Sequence, residues 1–296
     1  MARILIIGGS GFIGTHVASR LQEEGEEVAI FDVVPPGRAL NVPFVKGDVF
    51  DSASLELEVR GADTVIDLVG LADIGACQRE PDRSFRLNVS SLSQVLEAAR
   101  KAAVKKVVFP SSAAVYGKVD IVPIDESQPL NPSTIYAWHK WMGELLLRSY
   151  RQNYHIGYVI LRLFNVLGEG NKGVAHQYVQ EALKERRIHG FGRDQLRDFV
   201  DAADVANAFH LAAIHPDVTD KVINIGSGEG IKIGEVAAMV QELIPEIRVE
   251  FEEKPDYIPY HSVAEITLAR KLLNFQPQPG REVMRRLVRE LVKHGG

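Results

Sequence analysis

One cysteine, Cys77, stands in 296 residues. No internal disulfide can form and no Cys/His cluster has zinc spacing, so the expectation is a chain that works in a reducing cytoplasm, without a metal. Cys77 reads as an inert, packed thiol. Blocks of one charge are equally scarce. The formal net charge is -5, and no Lys/Arg run is dense enough to serve nucleic acid or an anionic membrane as the main partner, although a local basic pocket for a small anion remains open. No apolar run reaches membrane-spanning length. The first one, from Arg3 to Ile7, is cut short by Gly8, Gly9 and Gly11 and reads as a buried strand rather than a leader. Repeats, low-complexity tracts and flexible linkers are also missing. With 46% hydrophobic and 25% charged residues, the length suits one large α/β domain or two lobes sharing a core.

What is present starts at the same strand. RILII is a continuous apolar run, as in a strand covered on both faces, and Gly8-Gly9-Ser10-Gly11-Phe12-Ile13-Gly14 follows it directly before a helical pattern. The spacing Gly8-x-x-Gly11-x-x-Gly14 supplies a tight turn, close backbone approach to a pyrophosphate and close helix packing. Phe12 and Ile13 open the helix whose N-terminus faces the anion. A second strand, VAIFD, ends in Asp32, where a carboxylate suits a ribose 2′-hydroxyl and repels a 2′-phosphate. NAD is therefore favoured over NADP, with nearby Arg38 as the counter-argument. Further strands are expected over 42–45, 64–69 (which includes Leu68) and 107–110, with helices between. After the third strand, Asp48 and Val49 either meet an adenine or cap the next helix.

The chemistry-bearing stretch is Ser111–Lys140. Tyr136-x-x-x-Lys140 stacks a phenol and an ammonium on one face if both lie in a helix. A tyrosine acting as a base near neutral pH needs its pKa lowered by roughly 3 units, or about 4 kcal/mol. A neighbouring ammonium, a cationic cofactor and exclusion of water supply that together. Taken by helical angle, Tyr136, Lys140, Gly143 and Leu147 share one face, while Trp138, Trp141, Met142 and Leu145 point the other way. The 81–100 helix has an apolar face of Phe85, Val89, Leu92, Leu96 and Ala99, with Asn88 on that face either locking a backbone or serving the site. Two apolar outer surfaces imply a homodimer built from the Phe85 and Trp138/Trp141 helices, or else cover from another lobe or loop.

Beyond a buried strand over 158–164, ending at Asn165, the strict alternation weakens. Helices are expected over 175–186, 203–214, 233–243, 267–273 and 282–293, with a short strand over 222–225. A second lobe woven into the first is expected. Together GGSGFIG, Asp32, GDV, Asn88-Val89, SSAAVYG, YAWHK, LRLFNVLGEG, RDFVDAADVA and NIGSGEG resemble the extended short-chain dehydrogenase/reductase family, specifically its nucleotide-sugar epimerases and dehydratases.

The resemblance implies an α/β fold, a Rossmann-type doubly wound parallel sheet with a smaller, interleaved C-terminal substrate lobe. Residues 1–164 and 200–225 are expected to hold NAD, and 165–199 and 226–296 a nucleotide-diphospho-sugar. It implies that Tyr136 is the acid/base, that Lys140 orients the nicotinamide ribose, and that Ser112 bonds the reacting hydroxyl, since Ser112 stands four before Tyr116. Asn165, Arg197 and Asp256 fall at substrate contacts, against plain readings of Asn165 as a turn residue and Arg197 as a partner of Asp194 or Asp198. Ala113 and Ala114 occupy positions where relatives that eliminate water carry acids, so reversible oxidation of a sugar hydroxyl, a UDP-hexose 4-epimerase, is the expectation. A 4-keto-6-deoxy-sugar reductase and a non-catalytic dinucleotide sensor are the alternatives. Three departures stand out: Asp67 replaces a usual His, the segment after Asn165 is short, and Glu253 stands where a second diphosphate-clamping Arg is usual, so that either Lys254 replaces the clamp or the nucleotide end is held differently. Tyr260 falls near the position where a bulky residue excludes N-acetylated sugars.

Overall fold

The computed structural model describes residues 2–119, 121–253 and 261–295. In chain order its strands are β1 (Arg3–Ile7), β2 (Glu27–Asp32), β3 (Phe44–Lys46), β4 (Thr64–Asp67), β5 (Lys106–Ser112), β6 (Gly157–Leu163), β7 (Asn165–Leu167), β8 (Arg187–Phe191), β9 (Leu196–Asp201), β10 (Lys221–Ile225), β11 (Gly230–Lys232), β12 (Arg248–Glu252) and β13 (His261–Ser262). The helices are α1 (Phe12–Glu23), α2 (Ser52–Val59), α3 (Ile74–Arg79), α4 (Pro81–Phe85), α5 (Ser91–Lys101), α6 (Ile135–Tyr154), α7 (Val174–Glu185), α8 (Ala202–Ile214), α9 (Ile233–Leu243), α10 (Thr267–Leu273) and α11 (Gly280–His294).

Seven strands form one sheet in the order β10-β6-β5-β4-β1-β2-β3, and every pairing in it is parallel. The continuous apolar runs have a simple cause. Ile4, Ile6, Ile30, Ile66 and Val108 point to one face, where Val17, Leu21 and Phe209 of α1 and α8 cover them. Leu5, Ile7, Val65, Val107 and Phe109 point to the other, beneath Leu55, Leu92, Leu96 and Leu147 of α2, α5 and α6. Each such full burial contributes about 1.5–3 kcal/mol. The strand order reverses between β1 and β4, so the crevice at their carboxyl ends is where a ligand fits this topology.

The expected 81–100 helix is interrupted. Arg86–Ser90 forms a π turn between α4 and α5, and this extra residue per turn rotates what precedes it. Val89, Leu92, Leu96 and Ala99 are buried as the periodicity requires, but Phe85 is 45% exposed and leaves the apolar face assigned to it. On α6, Lys140, Gly143 and Leu147 face inward, while Trp138, Met142 and Leu145 remain exposed. Trp141 departs from that outer set and packs, partly buried, against the main core.

The remaining strands form smaller sheets. β9 pairs with β7, β11 and β13, and β8 pairs with β12. They share a separate core with α7, α9 and α11, centred on Tyr178, Val179, Val236, Val240, Met284 and Val288. α10 turns back: Ala264, Ile266, Ala269, Leu273 and Phe275 bury themselves in the core of the large sheet. The two cores are thus interleaved along the chain. No helix among the described residues is long and apolar enough to cross a membrane.

Candidate active site

The β1–α1 turn forms a cradle that side chains would fill. Gly8 has φ +75°, and a Cβ there would stand 2.7 Å from the Val69 nitrogen. At Gly14 a Cβ would stand 2.5 Å from the Gly9 carbonyl oxygen, so only glycine lets α1 start so close to β1. Gly11 caps α1 without a side-chain bond, which leaves the first-turn N–H groups of Phe12 and Ile13 facing the crevice entrance as an anion site. Asp32 ends β2 and accepts a 2.9 Å bond from the Ser10 nitrogen. A cavity of about 330 Å³ runs between them, lined by Gly8, Gly11, Asp32, Asp48, Val49 and Leu68 among others.

These groups fit a dinucleotide whose pyrophosphate lies on the glycine turn and whose ribose meets Asp32. Arg38 donates to the Thr15 carbonyl at 2.7 Å, on the α1 side, so its guanidinium is engaged away from the Asp32 carboxylate. Asp48 accepts from the Phe50 nitrogen at 3.0 Å, and the cap of α2 is instead Asp51. Asn88, in the π turn, lines none of this cavity. Its amide clamps Leu71 from both sides, Oδ1 accepting from the nitrogen and Nδ2 donating to the carbonyl, each at 3.1 Å. That fixes the Gly70 turn at the cavity wall. Gly14→Ala is expected to cost about 1–3 kcal/mol in overpacking and to strip the protein of dinucleotide, read by chromatography of the supernatant after denaturation.

β5 delivers Ser112 to the crevice, and a 3-10 turn at Ala113–Tyr116 follows. The Ser112 hydroxyl accepts from the Ala114 nitrogen at 3.2 Å and lies near enough to the Tyr136 phenol to act on it. Tyr136 lies in the first turn of α6, whose N-cap Thr134 accepts from the Ala137 nitrogen at 3.2 Å. One turn on, Lys140 is buried, with its ammonium 4.8 Å from the Phe109 ring centroid and 5.9 Å from that of Tyr136. Gly143 makes the approach of α6 feasible, since a Cβ there would stand 2.7 Å from the Phe109 ring.

The expected lowering of the tyrosine does not come from the chain itself. Burial pushes Tyr136 up to about 12, with the Ser112 hydroxyl acting in the opposite direction. The Lys140 ammonium is itself pushed down to about 8 by burial, partly opposed by Asp67. In this environment the phenol holds its proton, and only a further positive charge beside it makes it a base.

A second cavity, of about 760 Å³, opens on the other side of Ser112. Ala113, Ala114, Ser133, Thr134, Phe164, Asn165 and Arg197 line it. Asn165 donates to the Asp198 carbonyl at 2.9 Å. The Arg197 guanidinium donates to the Leu196 carbonyl at 2.9 Å and to Gln195 Oε1 at 2.6 Å, and burial lowers it to about 10. Asp194 pairs with Lys232, while Asp198 turns inward to accept from Ser227, Gly228 and Ala264. Asp256, Lys254 and Tyr260 lie outside the described residues.

Several site features carried no sequence signal strong enough to find them. Gln78 and Arg79 of α3 join the wall of the large cavity. Behind Ser112, Arg162 makes a forked ion pair with Glu144 at 2.9 and 2.7 Å and donates to the Tyr116 hydroxyl at 3.0 Å. Ser111 donates to Glu144 at 2.6 Å, so it is engaged in the core rather than facing the cavity. Two hints existed: an arginine inside the apolar run YVILRLF, and a glutamate four residues after Lys140. Among the described residues no group of three His, Cys, Asp or Glu is arranged to hold a metal.

Comparison with known proteins agrees with this geometry. Residues 4–226 match the model of the NAD dependent epimerase/dehydratase family. A UDP-glucose 4-epimerase from Halalkalibacterium halodurans is 31% identical over 309 residues, covering 95% of this chain and 92% of the relative. Among solved structures, a UDP-glucose 4-epimerase from Thermotoga maritima with UDP-glucose superimposes with a TM-score of 0.89 at 27% identity, covering 99% and 100% of the two chains. One from Thermus thermophilus, in complex with NAD, gives 0.85 at 28% identity over 97% and 99%.

Proposed function

Because the chain belongs to the NAD-dependent epimerase/dehydratase family, we propose that it interconverts the C4 epimers of a nucleotide-diphospho-sugar, a UDP-hexose, through a transient 4-keto sugar. The observation that carries this is the Ser112–Tyr136 pair: Ser112 lines the 760 Å³ cavity and acts on the Tyr136 phenol, one helical turn before the buried Lys140. NAD held by the glycine turn and Asp32 would supply hydride transfer to and from C4. The chain's own groups handle the proton and the positioning. Ser112 bonds O4 of the sugar, and Tyr136 takes the O4 proton as the C4–H bond breaks. After the keto sugar turns its other face, Tyr136 returns the proton to O4. Lys140 contributes positive charge beside the phenol throughout.

Ala113 and Ala114 follow Ser112, and among the described residues lining the cavity there is no carboxylate to assist loss of water from C5 and C6. Asn165 and Arg197, on the far wall, are proposed as substrate contacts, the guanidinium for the diphosphate. Asp256 is proposed with them. The division of labour follows: 1–164 and 200–225 hold the cofactor, 165–199 and 226–296 the nucleotide-sugar. A cytoplasmic location is proposed with it, supported by a substrate and cofactor of that compartment. The test is a thermal-shift panel of UDP, dTDP, GDP, ADP and CDP sugars on protein purified without added NAD. A UDP-hexose should give the largest shift, and denaturation should release NAD. A protein that comes empty and consumes NADPH stoichiometrically with a 4-keto-6-deoxy sugar would replace this reading with a reductase.

We also propose that the protein is a homodimer. Phe85, Trp138, Met142 and Leu145 are exposed on adjoining helices, and contiguous apolar surface of this kind supports self-association. Trp138→Asp is expected to shift the molecular mass in sedimentation from dimer to monomer; a dimer that persists would place the interface elsewhere.

A further inference from the structure

Asp67 ends β4 directly under the site and is fully buried. Its Oδ1 accepts from the Val69 nitrogen at 3.1 Å, while Oδ2 is buried with no hydrogen-bond partner. A dry carboxylate oxygen without a donor is costly unless a charge answers it. Among the described residues Lys140 is the charge that acts on Asp67, and Asp67 is the first charge that supports Lys140 against its own burial. The turn that Asp67 anchors through Val69 passes beside Lys140: a Cβ at Gly70, the next residue, would stand 3.8 Å from Lys140 Nζ.

The other groups around Lys140 have partners of their own, and among the described ones only Cys77 acts on it, after Asp67. Glu144, one turn beyond Lys140, is held by Arg162 and Ser111. His139 faces Ser84 and Phe85. Cys77 donates to the Leu71 carbonyl at 3.3 Å. The flanking strands present Ile7 and Phe109, both apolar.

We propose that Asp67 is a positioning residue whose ionised carboxylate is the counter-charge that keeps the Lys140 ammonium protonated beneath Tyr136. In kinetic terms this deepens the epimerase reading and rests on it. Burial pushes Asp67 up to about 7 and Lys140 down to about 8. Burial thus drives each toward its neutral form, and each charge holds the other against it. As pH rises the Lys140 ammonium is lost, and without the Asp67 charge it is lost earlier. Turnover should fall on the alkaline side.

Asp67→Asn tests this, because the carboxamide keeps the shape and the acceptor for Val69 while removing the charge. The alkaline limb of its kcat profile should move down by about one pH unit. A second readout needs no turnover, so it separates failure of this proposal from failure of the epimerase assignment. In pH-difference infrared spectra the wild type should lose a protonated-carboxyl band near pH 7 that Asp67→Asn lacks, and in Lys140→Met that band should persist to higher pH. A kcat profile for Asp67→Asn that superimposes on the wild type, or a band that Lys140→Met leaves unmoved, overturns the proposal.

Discussion

Tyr136→Phe is expected to lower kcat by about 10²–10⁴-fold, the range general acid–base catalysis supplies, while the purified protein still carries its NAD and melts at nearly the wild-type temperature. The reason lies in what each atom touches. The phenol hydroxyl faces Ser112, so its loss removes a proton carrier while the ring stays in place. The ring, which remains in the variant, still packs 5.9 Å from Lys140. Steady-state kinetics with the best UDP-hexose, alongside dinucleotide content, separates the outcomes. Loss of NAD together with activity would mean that Tyr136 shapes the crevice rather than the reaction.

Glu144→Gln should have the largest effect on stability. Its carboxylate and the Arg162 guanidinium are both buried, at 1% and 3% side-chain exposure, and meet at 2.7 Å. Removing one partner leaves the other charged and dry, at about 3–5 kcal/mol. For a chain of this size that lowers the melting temperature by roughly 6–15 °C. The pair ties α6 to β6, and through Tyr116 to Asn224 on β10, whose Oδ1 accepts from the Tyr116 hydroxyl at 2.7 Å. A double change to Glu144→Leu and Arg162→Met should recover much of the loss, because it buries no orphaned charge. Calorimetry of the three proteins decides; a Glu144→Gln melt within 2 °C or so of wild type would mean the pair is hydrated and weak.

Local chemistry explains what could be read from the chain. A glycine cradle depends on residues a few positions apart, so Gly8, Gly11 and Gly14 announced a crevice before any tertiary contact was known. The parallel sheet was equally legible, since strands buried on both faces lose the alternation of a half-exposed strand. Long-range pairings were not. Nothing local links Glu144 to Arg162 or Tyr116 to Asn224, and the pairs meet only because β5, β6 and α6 stack. Phe85 was misjudged because periodicity assumes an unbroken helix, and the π turn at Arg86–Ser90 breaks it. Trp141 shows the same limit from the other side: the angle put it outward, yet it packs on the core. Tyr136 was expected to be lowered by an ammonium, a cationic cofactor and water exclusion acting together; in the protein alone burial pushes it up. Asp67 was visible only as a departure from a pattern; its buried, unanswered oxygen needed the structure.

The central claim is that hydride leaves C4 of a UDP-hexose and returns to the same carbon inside one protein. Proton NMR of UDP-glucose with the purified enzyme in D₂O, with no dinucleotide added, tests it most directly. The account predicts appearance of the C4 epimer with the original hydrogen retained at C4 and no accumulating NADH. Deuterium at C4, or no epimer from any UDP-hexose while the protein turns over NADPH with a keto sugar, would contradict it.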